Sequence, residues 1–190
     1  MINNVVHCIQ LRTITDADLP FLLQVYASTR LVELSATGLP FDVQMQFLES
    51  QFQLQHRHYQ QHFASALFQI VIVNGQDAGR LYYGWEGDTL HLIDIALLPE
   101  FQHRGIGGIL MAELMAQASK CDSNLMLRVQ LQNPARNWYL KLGFVAGDHD
   151  GVYQQMHWQQ LAGAIETHST TTTITNETTN PSITVPSITT

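Results

Sequence analysis

The chain has 190 residues, of which 45% are hydrophobic and 13% are charged, and its formal net charge at pH 7 is −7. This length and apolar content indicate one globular domain with an appendage. The acidic balance argues against a nucleic-acid partner, whose phosphates need a basic face, and it agrees with a cationic acceptor such as an amine.

The N-terminal third predicts one strand followed by two helices. β-rich sequence comes first, and apolar residues then recur twice at helical spacing, with a Gly- and Pro-containing break between the two stretches. The predicted elements are a strand at 5–12, a helix from about 16 to 30, and a long helix at 42–63.

The middle of the chain predicts an antiparallel meander of three strands. Asn74-Gly75 and Glu86-Gly87-Asp88 are strong turn sequences between β-rich runs, and Pro99 ends the last run because it offers no ladder donor. The predicted strands are 67–73, 78–85 and 89–98.

The pattern then alternates between helices and strands. A wide apolar face recurs at helical spacing after the meander, as expected for a helix lying on a sheet. The predicted elements are a helix at 104–119, a buried strand at 125–129, a short helix at 134–141 and a closing hairpin at 144–158. Residues 1–160 therefore make up the predicted domain.

Residues 161–190 form a tail of different composition. Thr, Ser, Asn and Pro dominate it, and it offers too little apolar surface to offset the entropy of ordering. We expect a disordered or extended tail. Addition of a tail strand to a partner's sheet is the alternative that the Thr and Ile content leaves open.

Targeting and redox features are sparse. No apolar run approaches the roughly 20 residues that span a bilayer, so no membrane contact is expected. Residues 1–10 lack a signal-peptide pattern, and Cys8 and Cys121 have neither a metal-site nor a disulfide spacing. We therefore expect a cytoplasmic protein with free thiols.

His58 and His62 lie one helical turn apart and are the sequence feature closest to a metal site. The glutamate of a His-Glu-x-x-His motif is missing, because Tyr59 follows His58. We expect a solvated polar helix face here and no metal.

The glycine-rich segment 102–108 carries the clearest chemical prediction. It lies where a strand passes through a short loop into a helix, and a helix N-terminus presents unpaired N–H groups and partial positive charge. Gly105, Gly107 and Gly108 let a diphosphate approach the backbone closely. The segment fits neither the Walker loop, which needs Gly-Lys-Ser/Thr, nor the three-glycine Rossmann pattern.

Two motifs in order resemble the GNAT superfamily of acyl-CoA N-acyltransferases. Gln102-His103-Arg104-Gly105-Ile106-Gly107 fits its Arg/Gln-x-x-Gly-x-Gly/Ala motif, and Tyr139-Leu140-Lys141-Leu142-Gly143-Phe144 resembles its second motif. The resemblance is close from about residue 66 to 158. It implies an α/β (α+β) fold with a mixed, mostly antiparallel seven-stranded sheet and helices on both faces.

The resemblance also implies a site for acetyl-CoA without a metal. In this family the strand before the loop is bulged and splays from its neighbour, and the pantetheine arm lies in the opening. The positions implied for the cofactor are Ala96, Leu97, Leu98, Gln102, His103, Arg104, Gly105, Ile106, Gly107, Gly108 and Asn133. Asn133 could equally cap the following helix. Tyr139 would be the general acid that protonates the leaving thiolate.

The general base is less defined by the sequence. Asp94 lies on the strand that leads to the bulge, where the family often carries an acid, while Ile93 occupies the neighbouring position. Asp94 could equally pair with Arg80. A water-relayed base and the absence of a dedicated base stay open.

The predicted function is transfer of an acetyl group from acetyl-CoA to a primary amine. The alternatives are a non-catalytic acetyl-CoA-binding sensor or adaptor, and acyl transfer to a hydroxyl group. A small-molecule amine and a protein or peptide amine both remain open as acceptors, as does the acyl-chain length. The family resemblance also allows a homodimer.

Overall fold

A computed structural model describes residues 7–159, 170–176 and 183–187. Within them the chain forms a nine-stranded mixed sheet and five α-helices. The strands are β1 (Ile9–Thr13), β2 (Leu67–Val73), β3 (Gln76–Glu86), β4 (Thr89–Leu97), β5 (Asn124–Gln130), β6 (Val145–His149), β7 (Tyr153–Trp158), β8 (Thr170–Asn176) and β9 (Ile183–Ser187). The helices are α1 (Leu19–Ser28), α2 (Leu31–Ser35), α3 (Phe41–His62), α4 (Ile106–Lys120) and α5 (Ala135–Lys141).

The order of the strands places a parallel pair, β4 and β5, inside the sheet. The strands lie in the order β6-β7-β5-β4-β3-β2-β1-β8-β9. β1 to β4 pair antiparallel with their sequence neighbours, whereas β4 and β5 are parallel. A parallel pair needs a crossover, and α4 provides it, so the loop that leads into α4 follows the end of β4 directly.

Helices cover both faces of the sheet because its strands bury apolar side chains on both sides. On one face Ile106, Leu110 and Leu114 of α4 belong to the same buried cluster as Leu92 and Leu127. The other face carries a second cluster formed by α1, α3 and the sheet, with members Leu22, Tyr26, Leu48, Phe52, Phe68, Ile70 and Tyr82. We call these the α4 face and the α3 face.

The expected fold is confirmed: β1 to β7 form the mixed, mostly antiparallel seven-stranded sheet. Strand and helix boundaries differ from the sequence-based ones by a few residues. The short helix α2 was not predicted, because five residues are too few to show a helical period. Within the described residues, no helix combines the length and the apolar character needed to cross a bilayer.

Two segments of the predicted disordered or extended tail form strands. β8 pairs parallel with β1, and β9 pairs antiparallel with β8, so the tail extends the sheet beyond seven strands. The physical reason is that β1 has one unpaired edge and that Thr and Ile favour extended backbone. The domain boundary at residue 160 stays a prediction, since residues 160–169 lie outside the described part of the chain.

Candidate active site

A fork between β4 and β5 opens the centre of the sheet. The two strands pair only from Thr89 opposite Asn124 to Leu92 opposite Leu127. Beyond this point β4 continues along β3 and β5 continues along β7. The splay that the family resemblance implied is therefore present, with its apex at the Leu92–Leu127 pair.

A β-bulge at Ile93 lies next to the apex and accounts for the fork. Leu92 lies opposite Tyr83 and Asp94 lies opposite Tyr82, so Ile93 has no partner on β3. An extra residue bends the strand that carries it and increases its twist. Ile93 packs with the cluster of the α3 face, and Asp94 also contacts side chains of that face, whereas Leu92 belongs to the α4 face.

The backbone of β4 beyond the bulge offers hydrogen-bonding groups to the fork. Leu98 donates its N–H to the carbonyl of Ala78 at 2.9 Å. Because antiparallel ladder bonds alternate along a strand, Ala96 bonds toward β3 as well, and the backbone groups of Ile95 and Leu97 point toward the opening. Of the three predicted pantetheine positions, Leu97 is thus the one that faces the fork, and Ile95, which faces it too, was not among them.

The loop after β4 is shaped by two residues in the left-handed region. His103 has a φ of 57° and Gly105 has a φ of 80°. The Gln102 side chain donates to the Leu97 carbonyl at 2.8 Å, which ties the loop back to β4. Gly105 is the N-cap of α4, and the N–H of Ile109 donates to its carbonyl at 3.1 Å.

Open space lies above the start of α4. The N–H groups of Ile106, Gly107 and Gly108 precede the first hydrogen bond of the helix and have no carbonyl partner within it. A Cβ at Gly105 or Gly108 would meet no heavy atom within 4 Å, whereas a Cβ at Gly107 would lie 3.5 Å from the Trp138 ring. The predicted residues thus form an open cradle of backbone donors beside α5, with Arg104 exposed at its rim.

Tyr139 lies on α5 and is only 7% exposed. Its ring packs against Trp138 and Phe144, at centroid distances of 5.0 and 5.7 Å. Burial raises the pKa of the Tyr139 phenol well above its usual value, and the charge of Asp94 raises it further. The hydroxyl therefore holds its proton at neutral pH, as a general acid must.

Asn133 lies two residues before α5 and is exposed. Its Oδ1 accepts a hydrogen bond from the N–H of Ala135 at 2.9 Å, and its carbonyl accepts one from Arg136 at 3.0 Å. The capping role that the sequence left open is thus present. Contact between Asn133 and a cofactor stays a prediction.

Asp94 is held in a buried polar network on the α3 face. Arg80, which is 2% exposed, donates to its Oδ2 at 2.8 Å, and the Tyr59 hydroxyl donates to the same oxygen at 3.3 Å. The Arg80 guanidinium also donates to Gln55 Oε1 at 3.2 Å. The pairing with Arg80 that the sequence left open is present, and the role of Asp94 as a base stays a prediction.

Tyr59 and Gln55 were not predicted as parts of the site. They lie on α3, far along the chain from the predicted motifs, and a glutamine-rich helix gives no reason to select them. Arg80 offered one clue, because an arginine inside an apolar strand needs a partner for its charge.

His58 and His62 stack their rings at a centroid distance of 4.0 Å. His62 Nδ1 lies 3.0 Å from the His58 carbonyl oxygen, and both side chains are exposed. In the part of the chain that the structure describes, no group of three or more His, Cys, Asp or Glu side chains is placed to hold a metal ion.

Comparisons with known proteins agree with this geometry. Residues 64–146 match the family model described as an acetyltransferase (GNAT) domain. Among solved structures, the chain is similar to the PaiA N-acetyltransferase of Thermoplasma acidophilum in complex with coenzyme A, at 22% identity and a TM-score of 0.60, covering 80% of this chain and 99% of that one. It is also similar to an acetyltransferase of Thermus thermophilus, at 19% identity and a TM-score of 0.60, covering 82% and 99%.

A Bacillus subtilis acetyltransferase in complex with CoA is a third structural match, at 13% identity and a TM-score of 0.54, covering 82% of this chain and 99% of that one. At these identities the structural matches show a shared fold. A comparison with curated protein sequences gave no match.

The fold, the fork and the family match define an acyltransferase. Residues 64–146, which comprise the meander, the cradle, β5 and α5, form a GNAT acetyltransferase domain. Acetyl transfer is the general activity of such a domain.

Proposed function

We propose that this protein transfers the acetyl group of acetyl-CoA to a primary amine, with Tyr139 as the general acid. The observation that carries the proposal is the fork, which ends at the Leu92–Leu127 pair and leads at its open end to the cradle of α4. The short loop between β4 and α4 thus connects the opening in the sheet to backbone donors suited to a diphosphate.

The residues present fit acetyl-CoA. The N–H groups of Ile106, Gly107 and Gly108, together with the loop from Gln102 to Gly105, would hold the pyrophosphate, since helix N-termini bind such anions. The backbone of Ile95 and Leu97 would pair with the pantetheine arm as an added strand would. That structural relatives were solved with coenzyme A bound supports this assignment.

Acetyl-CoA would supply an acetyl group activated as a thioester. In the transfer the amine nitrogen bonds to the carbonyl carbon, the carbon–sulfur bond breaks, and the sulfur takes up a proton. Tyr139 supplies that proton from its hydroxyl, which its apolar surroundings keep protonated, while the carbon–sulfur bond breaks, and the phenolate then regains a proton from water. Binding both reactants at the fork contributes proximity.

Asp94 is the proposed acceptor of the amine's proton. Its Oδ2 receives hydrogen bonds from Arg80 and Tyr59, which leaves Oδ1 for a water molecule or the amine. The two hydrogen bonds fix the orientation of the carboxylate. We therefore assign Asp94 an assisting part, in which it attracts the amine and takes its proton through water.

The test compares Tyr139→Phe with Tyr153→Phe, in which an exposed tyrosine of β7 loses the same hydroxyl. Turnover is followed by release of the coenzyme A thiol with a panel of primary amines, and acetyl-CoA affinity is followed by calorimetry. Loss of a general acid lowers kcat by about 100-fold, while the acetyl-CoA Kd stays unchanged. Tyr153→Phe is expected to match the wild type.

Unchanged turnover in Tyr139→Phe would remove its assigned role. Folded wild-type protein that binds acetyl-CoA and acetylates no amine would instead support the sensor alternative. Failure of the wild type to bind acetyl-CoA would overturn the whole proposal.

A further inference from the structure

A pocket of about 210 Å³ lies on the α3 face, between the C-terminal end of α3 and the turn that joins β3 to β4. Phe63 and Ile93 supply apolar wall, and Ser65, His62, His91 and Glu86 supply polar groups. None of these residues has a part in the cofactor path described above. The larger pocket on this face is lined by β1, β2 and α3 and has no residue of β4 in its wall.

The pocket meets the apex of the fork. Ile93, the bulged residue, lines it and directly follows Leu92 of the last β4–β5 pair. The cradle for acetyl-CoA lies at the opposite, open end of the fork. A molecule in this pocket would therefore approach the apex from the side that the cofactor leaves free.

Three features give the pocket a negative potential. Glu86 places a carboxylate at its outer end, with a side chain that is 79% exposed. The 22-residue helix α3 ends at the pocket with His62, and a helix C-terminus carries partial negative charge. Among the described residues that line the pocket, none is Lys or Arg.

His91 leaves the charge of Glu86 available to a ligand. Its Nε2 lies 3.6 Å from Glu86 Oε2, so a protonated imidazole would neutralise that carboxylate. Burial lowers the pKa of His91 below its ordinary value, which favours the neutral ring at neutral pH. A cationic group of a ligand can then pair with the Glu86 carboxylate.

The position of Glu86 determines which cation this can be. The amine that attacks the thioester must be neutral and must lie at the apex, whereas Glu86 pairs with Thr89, three residues before Leu92. At the rise of a β-strand this separation is about 10 Å. The cation held by Glu86 is thus a second group on the same acceptor.

We propose that this pocket binds a second, protonated amino group of the acceptor, so that the enzyme prefers diamines to monoamines. The inference rests on the proposed function, which it deepens by naming the substrate class. The neutral amino group reaches the apex past Ile93, the carbon chain lies along Phe63 and Ile93, and the distal ammonium lies between Glu86 and the end of α3.

The experiment measures kcat/KM for a series of unbranched α,ω-diaminoalkanes and for monoamines of matched chain length, at low ionic strength. The variants are Glu86→Gln and, as a control, Asp88→Asn, which removes the same charge from the same turn but does not line the pocket. For the wild type we expect a preference for diamines of roughly fivefold, the scale of one partly exposed ion pair. It should be greatest for a chain that spans about 10 Å.

Glu86→Gln should abolish the preference, while Asp88→Asn should keep it. Added salt should weaken the preference, because the ion pair is partly exposed. Equal kcat/KM for diamines and monoamines in the wild type, or a preference that survives in Glu86→Gln, would overturn the inference and leave amine acetylation intact. Acetylation of no amine would overturn the proposed function, and the inference with it.

Discussion

The two candidate binding sites beside β4 are built from different kinds of groups. On the side of α4 the candidate cofactor site consists of backbone groups, namely the N–H groups at the start of α4 and the edge of β4 that faces the fork at Ile95 and Leu97. On the α3 face the site consists of side chains, and Arg80, Asp94 and Tyr59 come from three different elements. The first site depends on local chain geometry, and the second depends on long-range pairing.

Because of this difference, substitutions are expected to affect the two candidate sites differently. Side chains at the backbone-built site can vary so long as the glycines keep the cradle open. At the side-chain site, removal of one partner leaves a buried charge unpaired, which destabilises the whole fold.

The largest effect is therefore expected for Arg80→Met, matched with Arg12→Met. Both arginines donate to an aspartate at 2.8 Å, but the Arg80 side chain is 3% exposed and the Arg12 side chain is 26% exposed. Without Arg12, the Asp18 carboxylate also keeps hydrogen bonds from the Thr15 N–H at 2.7 Å and hydroxyl at 3.0 Å. We expect Arg80→Met to lower the free energy of unfolding by about 3–5 kcal/mol and Arg12→Met by about 1 kcal/mol, measured by urea denaturation.

The double variant Arg80→Met/Asp94→Leu checks the reason for that loss. It removes both charges and should recover part of the stability lost in Arg80→Met, since no unpaired carboxylate is then left in the interior. Equal losses in Arg80→Met and Arg12→Met would show that burial of the inner pair does not set its energy.

On the cofactor side, Gly107→Trp should abolish tight binding without unfolding the protein. An indole at this position must share the space between α4 and α5 with Trp138, and it would fill the cradle. We expect the acetyl-CoA Kd to rise by about 100-fold, equivalent to roughly 2.7 kcal/mol, measured by calorimetry. The control is Gly107→Ala, whose Cβ would lie at an ordinary contact distance of 3.5 Å from Trp138.

Gly107→Ala should bind acetyl-CoA nearly as well as the wild type. If Gly107→Trp also retained affinity, the cofactor would have to bind away from the start of α4.

The smallest effect concerns the outer ion pair and its dependence on pH. Hydrogen bonds from the Arg12 guanidinium and from Thr15 lower the pKa of Asp18 to about 2. Because this value lies below that of the unfolded chain, the carboxylate stabilises the fold above about pH 4, and this contribution is lost as the pH falls toward 2.

Asp18→Asn should therefore cost roughly 1 kcal/mol of unfolding free energy at pH 7. The difference from the wild type should shrink between about pH 4 and pH 2, as followed by denaturation at several pH values. A difference that stays constant over this range would mean that the charge of Asp18 does not stabilise the fold.

The sequence predicted the local backbone around the candidate cofactor site for a physical reason. Gly105 is in the left-handed region, where glycine is favoured, and Asn133 before Pro134 begins a helix, so the residue types themselves report the local backbone. Turn sequences such as Asn74-Gly75 placed the meander in the same way.

The α3 face could not be predicted to the same depth. The Arg80–Asp94 pair was one of two readings of the sequence, and Tyr59 reaches Asp94 only because α3 lies over β4, which no local pattern encodes. That the backbone of Ile95 faces the fork could not be predicted, because its direction depends on the position of the bulge. The tail strands depend on a free edge of β1 that is defined only once the sheet has formed.

The bulge at Ile93 can also be seen as a mismatch in length. Nine residues of β4 lie alongside eight of β3, so the longer strand must curve. Deletion of one residue from β4 would make the two paired segments equal in length, and β4 would then run straight beside β5. The cleft is thus a property of the number of residues in β4, and it could disappear without a change in any side chain that would touch a substrate.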